Sequence, residues 1–352
     1  MKVDRKAAIK KLKTLVLFPK SEVEPFREKL ESTFSTIFLP NHVEKRECSY
    51  GGVKCDLLMP EVCSSRRVML YVHGGSFVGG SRNSWRNFCA SVAHASSCRV
   101  VVPEFRLAPS HPFPASIEDL ETVFHAVHEE EMQEAKSSYT TPRLSASYAQ
   151  HNDSVQIIIA ADGSGASLAM ALLFKLNETE RATVTNLVLF SPWLDLSSDT
   201  PLIAKRHVAD EVLSGDAMHR AVDLYTYASN IDNPLVSPLK APSQDFKGFP
   251  EVYVQMGEKE ILRAQVLELV SKLREANVPY ILDIWPGMVY LFQMADEFLA
   301  ESHMAVERMG TYIKQRRNDA ENKSEHAERA KILKRNNIST ELPQANPKLK
   351  DM

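Results

Sequence analysis

Val155-Gln156-Ile157-Ile158-Ile159-Ala160-Ala161 runs straight into Asp162-Gly163-Ser164-Gly165, and the stretch from Ala166 to Leu176 follows with only Ser167 and Lys175 polar. A short run of consecutive apolar, largely β-branched residues reads as a strand covered on both faces. Two glycines around one serine permit a sharp turn, and the apolar stretch after them is expected as a buried helix over 164–176. Strand, tight turn and buried helix together form one unit of a parallel sheet.

Working outward, β-rich runs alternate with helical stretches along the chain. Eight strands are expected: Val43 to Tyr50, Val53 to Met59, Arg67 to His73, Arg99 to Pro103, Val155 to Ala161, Asn186 to Phe190, Glu251 to Met256 and Tyr280 to Trp285. Gly51-Gly52 joins the first two as an antiparallel hairpin, while later connections are long enough for crossover helices. Those helices are expected at Ser84 to Ala95, Ser116 to His128, Ser164 to Leu176, Asp216 to Ala228, Leu262 to Ala276 and Met294 to Gln315. The fold class is α/β, a mostly parallel sheet with helices on both faces. Residues 41–317 form the main domain, residues 1–40 an N-terminal lid or cap, and 197–247 a second cap contribution. Glu129 to Asp153 is a polar insertion expected at the mobile surface. Residues 318–352 mix both charges with few large apolar side chains and are expected as a disordered tail.

The formal net charge is -3 over 352 residues, which gives no reason to expect nucleic acid as a partner. The five cysteines, Cys48, Cys55, Cys63, Cys89 and Cys98, have no metal-ligand spacing and are expected as reduced thiols, with no metal or cofactor. The Gly51-Gly52 turn places Cys48 across the ladder from Cys55 at the wider pair spacing, which predicts two free thiols rather than a disulfide. Lys2, Arg5, Lys6, Lys10, Lys11 and Lys13 precede an apolar stretch, Leu15 to Phe18, too short for a signal-peptide core or a transmembrane span. A cytoplasmic location is expected. Leu12, Leu15, Val16 and these lysines read as a lid helix packed on the domain, with a basic helix on a membrane surface as the alternative.

Four further segments carry a specific resemblance. Tyr71-Val72-His73-Gly74-Gly75-Ser76-Phe77 is followed by Phe105-Arg106-Leu107-Ala108-Pro109-Ser110-His111-Pro112-Phe113-Pro114-Ala115, then Ser191-Pro192-Trp193-Leu194-Asp195, then Trp285-Pro286-Gly287-Met288. In this order they resemble the motifs of the hormone-sensitive lipase family of α/β-hydrolase carboxylesterases. The resemblance implies that the serine nucleophile stands on the turn after Ala161, that His73 holds an oxyanion loop, and that Gly74, Gly75 and Ser164 present backbone N–H groups to it. Ser76 replaces the commoner third glycine of that loop.

Against the same family, the chain departs at two of three catalytic positions. The family's elbow reads glycine, aspartate, serine, a small residue and glycine; here it reads Ala161, Asp162, Gly163, Ser164, Gly165, which puts Gly163 at the nucleophile. The base follows the Pro-Gly-Met motif by three residues, where Tyr290 stands, and a phenol titrating near 10 is a poor proton acceptor at neutral pH. Glu260 keeps the acid position and is expected to hydrogen-bond Tyr290. Ser164 is the alternative nucleophile, although a one-residue shift on a starting helix rotates the hydroxyl by about 100°. Arg106, Asp119 and Asp195 are expected in structural ion pairs or caps. His94, His111, His207 and His303 are expected as surface or core residues, with His303 as a possible substitute base.

Taken together these residues imply a pseudoenzyme: a non-catalytic protein that binds a small acyl or carboxylate ligand or regulates. An active carboxylesterase using Ser164 is the first alternative, and a scaffold or dimerisation partner, such as a homodimer, that uses only its surface is the second.

Overall fold

A computed structural model describes residues 4–35, 39, 42–63, 67–140, 155–197 and 210–315. Its centre is one eight-stranded sheet of β1 (Val43–Tyr50), β2 (Val53–Pro60), β3 (Arg67–Val72), β4 (Arg99–Pro103), β5 (Gln156–Asp162), β6 (Val184–Phe190), β7 (Glu251–Gly257) and β8 (Tyr280–Trp285). Each expected strand is found with its ends shifted by two residues at most. The spatial order is β1-β2-β4-β3-β5-β6-β7-β8. The β1–β2 hairpin and the β2–β4 pair are antiparallel, and all other pairs are parallel. A parallel sheet must be covered on both faces, and β3 accordingly buries every residue from Arg67 to Val72.

The helices α1 (Arg5–Leu12), α2 (Val23–Phe34), α3 (Arg82–Ser96), α4 (Ala115–Thr140), α5 (Gly165–Lys175), α6 (Glu178–Thr183), α7 (Gly215–Tyr225) and α8 (Arg263–Glu275) are followed by α9, residues 300–315. Two expectations are corrected here. The helix expected from Met294 begins at residue 300, because 292–294 close a 3₁₀ turn and Ser302 Oγ donates to the Phe292 carbonyl, ending that turn separately. The first part of the expected polar insertion, Glu129 to Thr140, continues α4 as helix, tied to the sheet by Arg99 bonding both oxygens of the buried Glu131 at 2.8 and 2.9 Å. The rest of that insertion, His207 and the tail lie outside the described residues.

Strand β5 lies between β3 and β6, and α5 leaves its end with every residue from Gly165 to Leu173 buried. That close departure requires Gly165: a Cβ there would stand 2.3 Å from the Val72 carbonyl oxygen and 2.5 Å from that of His73. Cys48 pairs with Cys55 across the hairpin, both are free thiols, and each Sγ contacts a backbone carbonyl instead of the other sulfur.

The N-terminal helices pack on the same end of the sheet. Leu12, Leu15 and Leu17 are buried, the Leu17 N–H donates to Ser76 Oγ, and Arg27 donates to the carbonyls of Val78 and Ala108 at 2.8 and 2.9 Å. Arg5 reaches the Gly287 carbonyl and Glu211, so one helix touches both the loop after β8 and the segment after β6. From that segment Tyr225 stacks on Phe77 at 4.1 Å. Among the described residues no helix is long and apolar enough to cross a membrane.

Candidate active site

The turn after β5 is a left-handed elbow. Gly163 has φ +48°, its N–H donates to the Phe190 carbonyl, and its own carbonyl accepts from Trp193. A side chain at this position would be strained by the backbone and would also find its space taken. A Cβ added to Gly163 would lie 2.2 Å from Tyr290 Oη and 3.3 Å from Tyr290 Cζ. The phenol therefore fills the room of a residue-163 side chain, and the two sequence departures occupy one place in space. Tyr290 is 4% exposed, and its burial, together with the carboxyls of Asp162, Glu260 and Asp210, pushes its hydroxyl well above the usual range. At neutral pH it is a hydrogen-bond donor, not a base.

Glu260 is also buried, with its carboxyl pushed well above the usual range by desolvation. The expected bond from Glu260 to Tyr290 is not formed. Glu260 Oε1 accepts from Ser191 Oγ at 2.7 Å and from the Gly257 N–H, and Ser191 Oγ in turn accepts the Leu291 N–H at 3.1 Å. Ser191 thus bridges the acid to the loop that carries Tyr290. Oε2 of Glu260 has no hydrogen-bond partner among the described residues. In a serine hydrolase an imidazole is held by such a carboxylate oxygen.

Ser164 is 1% exposed, and its Oγ accepts the Phe77 N–H at 3.2 Å, which turns the hydroxyl toward the Gly74–Phe77 loop. His73 is sandwiched by Phe105 at 4.2 Å and Trp85 at 5.1 Å, its Nδ1–H donates to the Gly74 carbonyl, and burial lowers its pKa to about 4. Its ring is neutral and bound up in the loop, so it does not serve Ser164 as a base. His303 is exposed beside a cavity of about 160 Å³ lined by Lys11, Asn87 and Gln293, away from the residues contacting Gly163.

The expectation that Gly74 offers its N–H to a ligand is corrected: that N–H donates to Asp162 Oδ1 at 3.2 Å. The same oxygen accepts Tyr71 Oη and Trp85 Nε1, both at 2.8 Å. Among the described residues the N–H groups of Gly75, Ser76 and Ser164 have no acceptor. Ser191 as a bridge and Asp162 as a hub were not expected from the sequence, though they stand in the Ser191–Asp195 motif and at the elbow. A buried acid beside a glycine loop is a signal for the second. Arg106 pairs with Asp119 at 2.8 Å and Asp195 accepts from Ser197, as expected of structural residues. Among the described residues no group of three His, Cys, Asp or Glu is placed to hold a metal ion.

Asp162 yields a test by pH. Burial raises its pKa from 3.8 to about 7 despite the three bonds it accepts. The folded chain then keeps a proton that the unfolded chain has released, so this stability is full at low pH and lost as pH rises through about 7. Asp162→Asn cannot ionise. Urea denaturation should show the variant gaining on wild type by on the order of a few kcal/mol between pH 4 and pH 7. A constant difference across that window would show that Asp162 does not titrate there.

A sheet of this order, with a tight strand-to-helix turn and a glycine loop beside it, defines an α/β hydrolase. The α/β hydrolase fold model matches residues 69–294, and the chain belongs to that family. Within it the chain is hormone-sensitive lipase-like. An esterase of Acinetobacter venetianus is 28% identical over 265 residues, covering 75% of this chain and 80% of its own, and an acetyl-hydrolase of Streptomyces hygroscopicus is 25% identical over 248 residues, covering 70% and 75%. Among solved structures, a hormone-sensitive lipase from a metagenome library is similar with a TM-score of 0.73 at 25% identity, over 90% of this chain and 100% of that one.

Proposed function

We propose that this chain is a non-catalytic member of its family, whose covered site above Gly163 holds a small acyl or carboxylate ligand instead of turning esters over. The observation that carries this reading is the 2.2 Å approach of Tyr290 Oη to the position of a residue-163 Cβ. A donor hydroxyl stands where the family places its nucleophile. Together with the N–H groups of Gly75 and Ser164 it offers a carbonyl or carboxylate oxygen hydrogen bonds, and the raised pKa values of Asp162 and Glu260 keep opposing negative charge low.

A second reading, an active carboxylesterase using Ser164, is favoured by the activities in the relatives' names. One pair of measurements separates the two. On the first reading, purified protein does not turn over p-nitrophenyl acetate or butyrate, and butyrate raises its Tm in wild type more than in Tyr290→Phe, since selective binding to the folded state stabilises it. Ester turnover abolished by Ser164→Ala would establish the second reading and end the first.

A further inference from the structure

The outer face of the N-terminal helices carries a charge pattern that the elbow does not use. α1, α2 and the segment between them frame an open groove of about 710 Å³. Its floor is apolar: Val16 and Phe26 are buried, and Ile9 and Phe18 are half-buried. Its rim carries Lys6, Lys10, Lys13, Lys20 and Lys29, all exposed, against the single carboxylate of Glu22. Among the described residues none of these five ammonium groups forms an ion pair, whereas neighbouring Lys11 points the other way and pairs with Glu297.

The segments outside the described residues carry no net negative charge to answer these lysines. From Arg316 to Met352 there are nine Lys or Arg against six Asp or Glu, and residues 198–209 hold two against one. No other segment outside the described residues is net negative either. Five like charges held around an apolar floor therefore call for an external anion with an apolar part.

We propose that this groove docks the protein on an anionic phospholipid surface, with the lysines meeting headgroup oxygens and Ile9, Phe18 and Pro25 meeting the acyl boundary. Three features favour lipid over nucleic acid or an acidic protein. No arginine lines the groove to make bidentate contacts, and lysines on flexible stems suit headgroups that rearrange beneath them. A lysine stem can also lie along apolar surface while its charge reaches outward. The groove has a single half-buried ring, Phe18, where stacking of successive bases would need several. A basic rim around an apolar strip is the pattern of interfacial binding. Because α1 and α2 also lie over the Ser76 and Gly287 loops, docking brings the cover of the elbow to the lipid. The proposal rests on this surface alone and stands whether or not the elbow binds a ligand.

The test uses the full chain and sedimentable vesicles of phosphatidylcholine, alone or with about one third phosphatidylserine, at about 0.1 M salt. At least about tenfold more protein should pellet with the anionic vesicles, and the excess should vanish at about 0.5 M salt. Lys10→Glu, Lys13→Glu and Lys20→Glu combined should abolish that excess, as should Gln at the same three positions. The same charge change placed elsewhere, as Lys54→Glu, Lys247→Glu and Lys259→Glu, should leave it within about twofold. Equal pelleting with neutral vesicles, none with either, or a loss in the Lys54, Lys247 and Lys259 control equal to that in the groove variants overturns the proposal. So does a short oligouridylate that binds as tightly as the vesicles at the same salt, which would transfer the groove to nucleic acid.

Discussion

Combining Gly163→Ser with Tyr290→His is expected to create an esterase, with p-nitrophenyl acetate turnover at least about a thousandfold above wild type and above either single variant. A buried carboxyl with one unpartnered oxygen already stands in the site. Glu260 is held from one side by Ser191 and the Gly257 N–H, while its Oε2 faces no partner among the described residues. An imidazole at 290 finds in that oxygen the group that fixes its tautomer, and its positive charge during turnover offsets the desolvation that now favours the protonated acid. A serine at 163 finds room because removal of the phenol clears the space beside its Cβ. Neither change suffices alone, since a serine without a base and a base without a nucleophile each lack half of one unit. In a well-studied serine hydrolase, loss of the serine or the histidine alone costs about a millionfold in kcat, so the residual activity of the single variants should be close to background. Equal activity of the double variant and wild type would mean that the surrounding pocket has diverged too.

The frame of the fold was legible because a sheet buried on both faces writes itself as apolar runs, such as Val68–Val72 in β3, Ile157–Ala161 in β5 and Leu187–Phe190 in β6. The register was legible where a turn fixes it, as Gly51-Gly52 fixes Cys48 against Cys55. Helix ends were less so. A polar stretch such as Glu129 to Thr140 carries no apolar period strong enough to show that α4 continues, and its anchor, Arg99 to Glu131, joins residues far apart in sequence. In the site, spacing against the family's motifs singled out Gly163, Tyr290 and Glu260, but spacing says nothing about which atoms meet. That the phenol enters the place of a residue-163 side chain, and that Ser191 takes the bond expected of Tyr290, depend on backbone turns with positive φ at Gly163, Ser191 and Leu291. A serine and a leucine give no sequence warning of such a conformation.

The same contact predicts that Gly163→Ser alone destabilises the protein, and that Tyr290→His relieves the damage. Two costs meet at this residue. A side chain on a backbone with φ +48° carries roughly 1 kcal/mol of left-handed strain, and forcing atoms into a packed site adds typically 1–3 kcal/mol. The neighbour that must give way is Tyr290 Oη, 2.2 Å from the new Cβ and carried on a rigid ring that is 4% exposed. A total of about 2–4 kcal/mol corresponds to a fall in Tm of roughly 3–6 °C for a chain of this size. Tyr290→His shortens the side chain and removes the clash while leaving the backbone strain, so the double variant should be more stable than the sum of the single effects allows. A cycle of wild type, both single variants and the double variant, followed by urea denaturation, should return a coupling of at least about 1 kcal/mol in the stabilising direction. Tyr290→Ala in place of His removes the clash without adding a base, which separates packing from chemistry: despite the cavity it leaves, it should show a stabilising coupling with Gly163→Ser and leave it without turnover. Strict additivity at 163 and 290 would mean that the phenol does not stand where a residue-163 side chain must go.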